Sequence, residues 1–441
     1  MKNFKSIGKR FLVFTLVFAL LFASSCGKKE SGEQSGKSSE ISITGKIDDY
    51  LSDDGTGEDG LTTEEKEPLF VPKVIDISFA ACGDDLIHSG IFNWAKNVSA
   101  DGTYDFSFCY AKTKDFFQAH DLCFINQETL VNDQFTPSGY PCFSTPAEIG
   151  SALYDANFRV FNLSTNHTYD LGGDGLAATL EFWDSMPDDV LYPGLWKKDD
   201  LDYIPIYNYE DIKIAFLSYT YGTNGFATPD NSETRVIYLD EEDVIKRQLM
   251  LANEQADMVI VSAHWGIEDS HIVSDDQKHQ AQFLAENGAD LIIGTHPHVA
   301  QTAEFINTSD GRKVFCMYSL GNFVSTQLKT SELVGLVFDC NLVFTEQPDG
   351  TFVGEVRNPV LIPELTVYDA NRTNSHAEFL KDTTPEQLNS SYMRVIDGTY
   401  SNDAVYYILQ NYVDSRYLWM PGEDRPVTTP TPTDASPTDS N

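Results

Sequence analysis

The sequence predicts an α/β fold of layered, partly parallel sheets, because strand-like and helical segments alternate along a chain of globular composition. Short runs rich in β-branched and aromatic residues are separated by stretches of helical spacing, which is the pattern of layered α/β domains. The strand-like runs are 74–82, 122–128, 158–164, 212–218, 258–264, 289–296 and 314–320. The helical stretches are 111–119, 175–186, 240–255 and 275–287.

The composition limits the classes of protein to which the chain can belong. The 441 residues carry a formal charge of −37, and 41% of them are apolar and 12% aromatic. Such a chain is neither wholly disordered nor fibrous. Its negative charge repels nucleic acid, so no nucleic-acid partner is expected, and an anionic ligand would need a bound metal or a local basic patch.

The amino-terminal segment has the features of an export signal. A basic stretch within residues 2–10 precedes an apolar run from 11 to 23, which is too short for a permanent membrane-spanning helix. The sequence Ala23-Ser24-Ser25-Cys26 resembles the lipobox of bacterial lipoproteins, whose cysteine is lipidated after cleavage. We therefore expect an extracytoplasmic protein anchored to the bacterial membrane through Cys26. An ordinary cleaved signal with a coincidental cysteine is the alternative.

Composition shifts divide the chain into five parts. Residues 1–26 are the expected lipoprotein signal, and residues 27–70 have the polar composition of a disordered tether. Residues 71–365 form the expected folded domain, which ends in a β-hairpin over 333–362. A helical extension over 366–420 and a disordered Thr/Pro-rich tail over 421–441 follow.

The cysteines do not form a recognisable metal or redox motif, because the sequence contains no CxxC. Cys82, Cys123 and Cys316 lie inside apolar strand-like runs and are expected to be buried as small hydrophobic residues. Whether any of the cysteines beyond Cys26 forms a disulfide is left open by the sequence.

Polar residues able to bind a cation follow six of the strand-like runs. They are Asp84; Asn126 and Glu128; Asn166 and His167; His264 and Glu268; His296 and His298; and Asn322. Four of the nine histidines are in this set. Each position has an ordinary explanation when taken alone, such as a turn or a helix cap. The carboxyl ends of strands in open α/β sheets converge on one crevice, however, so together the residues predict a single site.

The segment Gly294-Thr295-His296-Pro297-His298 carries the most specific signal. Two imidazoles separated by one proline cannot lie on a regular helix face, so they are expected to project from a rigid turn. Such a turn suits two neighbouring metal ions better than a hydrophobic core.

The combined motifs resemble those of the CapA family of poly-γ-glutamate capsule biosynthesis proteins, which are similar in fold to calcineurin-like metallophosphoesterases. The resemblance covers about residues 74 to 330. The motifs are Gly83-Asp84, Asn126-Gln127-Glu128, Ser164-Thr165-Asn166-His167 with Asp170 and Gly172, His264-Trp265-Gly266 with Glu268, the segment 294–299, and Tyr318-Ser319-Leu320-Gly321-Asn322-Phe323.

This resemblance implies a four-layer α/β/β/α sandwich with two divalent metal ions in a crevice. Asp84 and His298 would bind one ion; Asn166, His264 and His296 would bind the second; and Glu128 would bridge or bind. His167 would stand free as the catalytic proton donor, and Asn126, Glu268 and Asn322 are expected to contact the substrate. This mixture of imidazole, amide and carboxylate groups suits Mn, Zn or Fe.

Two positions depart from the family pattern. The usual opening of phosphoesterases, Asp-x-His, is replaced by Asp84-Asp85-Leu86, with the nearest imidazole at His88, so the first ion is expected to lose a ligand. Thr295 stands where the family commonly has another histidine, and we expect this change to matter little.

Two functions are consistent with these residues. The first is an exported, lipid-anchored capsule biosynthesis protein that hydrolyses a phosphoester with its metals. The alternative is a noncatalytic envelope lipoprotein that binds or helps export an anionic polymer, together with polymer synthase or exporter subunits. A solute-binding lipoprotein would leave the paired histidines unexplained. Trp265, Tyr140 and Tyr221 could line a groove, although aromatic residues more often pack in the core.

Overall fold

The computed structural model describes residues 70–426. The expected signal, its lipidated cysteine and nearly all of the tether lie outside this range, as does the tail from residue 427. Within residues 70–426, no helix combines the length and the apolar content needed to cross a bilayer.

The strands and helices alternate through most of the chain. The strands are β1 (Val74–Asp85), β2 (Leu122–Gln127), β3 (Val131–Asn132), β4 (Thr145–Pro146), β5 (Phe158–Asn162), β6 (Trp196–Lys197), β7 (Ile206–Tyr209), β8 (Ile212–Thr220), β9 (Thr234–Arg235), β10 (Met258–His264), β11 (Leu291–Thr295), β12 (Ala303–Asn307), β13 (Lys313–Met317), β14 (Asn322–Val324), β15 (Val334–Glu346), β16 (Phe352–Val367) and β17 (His376–Phe379). The α-helices are α1 (Ser89–Val98), α2 (Ser107–Tyr110), α3 (Lys114–Gln118), α4 (Glu148–Asp155), α5 (Gly172–Asp184), α6 (Glu242–Gln255), α7 (Asp275–Glu286), α8 (Pro385–Ser390), α9 (Met393–Ile396) and α10 (Asn402–Tyr412). Two short 3₁₀ helices cover Thr330–Leu333 and Leu380–Asp382.

Two mixed sheets form the centre of the fold. The first has the strand order β17-β16-β15-β1-β2-β5, with β14 paired to β1, and the second has the order β12-β13-β11-β10-β8-β7. In the first sheet β1 is parallel to β2 and β14 and antiparallel to β15. In the second, β8, β10, β11 and β13 are parallel, and antiparallel strands flank them at both edges.

Side-chain alternation along the strands divides the interior into three hydrophobic layers. Between the two sheets, Phe79 of β1 shares a core with Ile260 of β10. On the outer face of the first sheet, Cys82 packs in a core with residues of α1 to α5. On the outer face of the second sheet, Val261 lies in a core with residues of α6 and α7. This arrangement confirms the four-layer α/β/β/α sandwich.

Local sequence signals account for several of these elements. The α7 helix begins with a capping box, in which Ser274 accepts from the Gln277 backbone N–H and the Gln277 side chain accepts from the Ser274 N–H. The predicted hairpin is confirmed as β15 and β16, and Gly350 adopts a positive φ of 82° in the turn. Sequence periodicity missed α1, α4 and the edge strands β7 and β12, which are short and only partly buried.

The segment expected to be a helical extension, residues 366–420, contains both helices and strands. It contains α8, α9 and α10, but β16 continues to Val367 and β17 pairs with it. Earlier in β16, the Leu361 backbone N–H donates to Tyr417 O, and the Trp419 backbone N–H donates to Leu361 O. An unpaired edge of β16 would expose its N–H and C=O groups, so the later segments cover it. Residues 421–426 of the expected tail are described, and within them Arg425 donates to Asp339.

All six cysteines within the described residues are free thiols. Cys82, Cys123 and Cys316 are fully buried, as the apolar runs around them predict.

Glycines permit the closest backbone contacts near the carboxyl ends of the strands. A Cβ added to Gly83 would lie 1.8 Å from the Gly321 carbonyl oxygen, and one added to Gly294 would lie 2.1 Å from that of Tyr318. Both neighbours are backbone atoms and cannot rotate away, so a larger residue would force strands apart.

We predict that Gly294→Ala lowers the free energy of unfolding by about 2 kcal/mol or more, the cost typical of overpacking. Gly398→Ala is the matched control, since a Cβ at that position has no neighbour within 4 Å. Urea denaturation measures both variants, and equal midpoints would contradict the prediction.

Candidate metal centre

The residues predicted to form a site lie at one end of the two sheets. Asp84 is the second-to-last residue of β1, His264 is the last residue of β10, and Glu128 and His296 directly follow β2 and β11. Asn166 lies in the loop after β5. Parallel strands place their carboxyl ends at the same edge, which brings these positions into one crevice.

Two carboxylates and one imidazole form the first cluster. Asp84, Glu128 and His298 each offer a ligand atom within 4.8 Å of the others. His298 Nδ1 lies 2.9 Å from Asp84 Oδ2, and His298 Nε2 lies 3.7 Å from Glu128 Oε1. All three side chains are buried.

An amide and two imidazoles form the second cluster. Asn166 Oδ1 lies 3.1 Å from His264 Nε2, and the His264 and His296 ring centroids are 4.8 Å apart. The two clusters meet at His296, whose backbone N–H donates to Asp84 Oδ1 over 3.4 Å. The structure therefore brings all six predicted ligands into one crevice.

The turn that carries His296 and His298 is held in an unusual backbone conformation. Their φ angles are 98° and 61°, a region that costs a non-glycine residue about 1 to 3 kcal/mol. Neighbouring segments hold the turn in place. The Trp265 backbone N–H donates to Thr295 O, and the Asp269 backbone N–H donates to Pro297 O. The strained turn aims the His298 imidazole at the two carboxylates and places the His296 ring beside His264.

Glu128 gives the clearest sign that a cation belongs in the crevice. Both of its carboxylate oxygens are buried and lack a hydrogen-bond partner among the described residues. Burial raises the pKa of this carboxyl well above its usual value. A buried carboxylate is costly unless it is paired or binds a metal.

The imidazoles complete the donor set. Burial, reinforced by neighbouring imidazoles, lowers the pKa of His264 and His296 well below the ordinary value, which keeps both in the neutral form that binds metals. His296 Nδ1 is also buried without a partner. Burial lowers the pKa of His298, but Glu128 and Asp84 outweigh it and raise the pKa to about 10. These carboxylates, the amide and the imidazoles fit divalent metal ions.

His167 lies beside the second cluster and is oriented by Asp170. His167 Nδ1 is 2.8 Å from Asp170 Oδ2, which also accepts from the Phe143 backbone N–H. The Phe143 ring packs edge-on against the imidazole with centroids 4.8 Å apart. These contacts fix the ring and leave its Nε2 as the atom available for proton transfer.

The three expected substrate contacts differ in their surroundings. Asn126 Nδ2 donates to Asp84 Oδ1 and its Oδ1 accepts from Asn162, so this amide positions Asp84. Asn322 donates to Gln327 and to the Glu332 carbonyl, while its Oδ1 is buried without a partner among residues 70–426. Glu268 is exposed and lies close to His296 and His298.

The residues after Asp84 do not replace the missing imidazole. The Asp85 carboxylate accepts from the Tyr110 hydroxyl in the core, and burial raises its pKa to about 8. Leu86 is buried. His88 Nδ1 lies 3.0 Å from Leu86 O and 3.2 Å from the Thr326 backbone nitrogen, so its δ nitrogen faces these backbone groups.

Two residues near the site have larger roles than the sequence indicated. Thr295 Oγ1 lies 3.0 Å from His264 Nδ1 and orients that ring, a contact that the sequence did not indicate. Its position could have been inferred from the register, since Thr295 pairs with His264 across β10 and β11. The Tyr221 ring is tilted by 35° against the His296 ring, with centroids 4.4 Å apart, and 45% of its surface is exposed. Trp265 is buried, and its indole N–H donates to Tyr318 O.

The fold is a four-layer α/β/β/α sandwich with carboxylate and imidazole groups gathered at one end of its two sheets. The chain belongs to the family of bacterial capsule synthesis proteins designated PGA_cap, which matches residues 78–327.

Two curated relatives are CapA proteins of bacilli. The chain is 35% identical over 184 residues to the PGA biosynthesis protein CapA of Bacillus subtilis, covering 42% of this chain and 47% of that protein. It is 31% identical over 200 residues to the capsule biosynthesis protein CapA of Bacillus anthracis, covering 43% and 47%. The matched region thus spans about half the length of each relative.

A solved structure with a related arrangement is the NAD nucleotidase NadN of Haemophilus influenzae. It aligns over 79% of this chain and 57% of that chain, with a TM-score of 0.41 and 14% sequence identity.

We predict that the purified chain holds about two equivalents of divalent metal, as two-metal sites do. His296→Ala removes an imidazole of the second cluster and is expected to lower the metal content sharply. Elemental analysis by mass spectrometry measures it, with His279→Ala, an exposed histidine on α7, as the control. Equal metal content in both variants would contradict the assignment.

Proposed function

We propose that this chain is an exported capsule biosynthesis protein whose crevice binds two divalent metal ions and hydrolyses a phosphoester bond. Its family and the names of its two relatives support the role in capsule synthesis. The observation that carries the hydrolytic part is the His167 and Asp170 pair beside a cluster of buried metal-binding groups.

Hydrolysis of a phosphoester needs positive charge around the phosphoryl group and a general acid for the leaving oxygen. When bound, two divalent ions supply charge for a phosphoryl group and lower the pKa of a water toward about 7. His167 Nε2 gives a proton to the leaving oxygen, while the Asp170 carboxylate stabilises the protonated ring through Nδ1. Asn126 holds Asp84, and Thr295 holds His264, so both clusters are preorganised by residues of the chain itself.

A phosphoesterase assay tests the proposal with the full-length chain in detergent, added Mn²⁺, and a panel of phosphomonoesters and phosphodiesters. We expect His167→Ala to lower kcat by about 10²- to 10⁴-fold, the range of general acid catalysis, while metal content stays unchanged. Asp170→Asn should shift the pH profile, because it alters the charge beside His167. Glu254→Gln, an exposed position on α6, is the control.

If wild type and His167→Ala are equally inactive on the panel while both retain metal, the hydrolytic proposal fails. A noncatalytic role in holding or exporting an anionic polymer is then favoured, and Leu86 at the expected imidazole position is the observation that supports it. In a deletion strain, a His167→Ala copy would then restore surface polymer, whereas an Asn166→Ala/His296→Ala copy would not.

We further propose that the chain is anchored outside the cytoplasm through lipidated Cys26 and works there with polymer synthase or exporter subunits. The basic stretch, the short apolar run and the lipobox-like sequence support this location. No nucleic-acid partner is proposed, in keeping with the charge of −37.

Cys26→Ser is expected to abolish incorporation of labelled palmitate and to release the protein from the membrane fraction. Cys142→Ser, at a partly exposed thiol in the folded domain, is the control that should keep both the label and the membrane association. Equal labelling of the two variants would contradict lipidation at Cys26.

A further inference from the structure

The first cluster is short of one ligand. Asp84, Glu128 and His298 come together, but the imidazole of the usual Asp-x-His opening is absent. Leu86 is buried at that position, Asp85 is bonded to Tyr110, and His88 Nδ1 lies against backbone groups. A divalent ion held by three protein groups would need a further donor from elsewhere in the chain or from solvent.

Glu268 lies where the two clusters meet and is placed to provide a further donor there. Its carboxylate, one His296 nitrogen and one His298 nitrogen all lie within 4.8 Å of one another. At metal–ligand distances of about 2.0 to 2.2 Å, donors to one ion lie up to about 4.4 Å apart, so a small side-chain rotation closes the set.

The backbone around Glu268 is fixed against the histidine turn. Asp269 N–H donates to Pro297 O over 2.9 Å, and Gly266 and Asp269 adopt positive φ angles of 93° and 64°. The Asp269 carboxylate pairs with Lys329. Within residues 70–426, the Glu268 carboxylate makes no hydrogen bond and no ion pair with Lys or Arg, and its exposed side chain is free to turn toward the two histidines.

Two unpartnered groups independently indicate a cation beside Glu268. His296 Nδ1 and both Glu128 oxygens are buried without hydrogen-bond partners among the described residues. His298 belongs both to the group that contains Glu268 and to the group that contains Glu128. A third carboxylate would also reduce the excess positive charge of two divalent ions balanced only by Asp84 and Glu128.

We propose that Glu268 is a metal ligand of this crevice, where it supplies the donor that Leu86 does not, in place of the substrate contact expected from sequence. The inference rests on the metal centre of the proposed function. It makes the site one of three carboxylates, three imidazoles and one amide.

Titration calorimetry of the metal-free full-length chain with Mn²⁺ tests the inference without any substrate. We expect Glu268→Gln to weaken the binding of one of two ions by at least about tenfold, a loss typical even of residues that only orient a ligand. Glu268→Asp should recover part of the affinity, because it keeps the carboxylate. Glu254→Gln removes an exposed charge elsewhere and should bind as wild type does.

Electron paramagnetic resonance of the same samples provides a second readout. With two equivalents of Mn²⁺, wild type should give the spectrum of a coupled Mn²⁺ pair. Glu268→Gln, with the same two equivalents added, should give the spectrum of a single bound ion. Unchanged affinities with a raised KM in Glu268→Gln would overturn the inference and assign Glu268 to substrate, leaving the metal centre intact. A wild-type chain that binds no Mn²⁺ would overturn the proposed function itself.

Discussion

The structure depends on the meeting of buried carboxylates and buried imidazoles at the joined ends of two sheets. Asp84 and Glu128 come from the first sheet, whereas His264, His296 and His298 come from the second. Neither sheet alone holds a complete set of donors. The apolar core between the sheets is therefore also what sets the distances in the crevice.

Backbone strain and close backbone packing hold these carboxylates and imidazoles together. His296 and His298 occupy positive φ regions that their side chains disfavour, and hydrogen bonds from the 265–269 loop hold them there. Gly83 and Gly294 let the backbones of neighbouring segments approach within distances that no side chain would permit. The rest of the large folded domain offsets the free energy that this backbone strain costs. A bound cation would offset the negative charge that the carboxylates bring together.

The elements that the sequence predicted well are those with a strong periodic signal. The strands β1, β10 and β11 are long apolar runs followed by polar residues, so their positions and ends are apparent from the sequence. The short elements α1 and α4 and the edge strands β7 and β12 carry weaker patterns, because less of each is buried. The C-terminal extension was misjudged for a different reason: β17 is specified by the unpaired edge of β16, which no local pattern reveals.

The sequence by itself determined which residues are candidates for the site, because cation-binding side chains follow apolar strands at the ends where parallel sheets converge. Only the tertiary structure decided how they are held. The contacts of Thr295 with His264 and of Asn126 with Asp84 join neighbouring strands, and Glu268 lies beside the histidine turn. Such contacts depend on strand register and on the packing of one sheet against the other, and these are properties of the folded chain and not of any local segment.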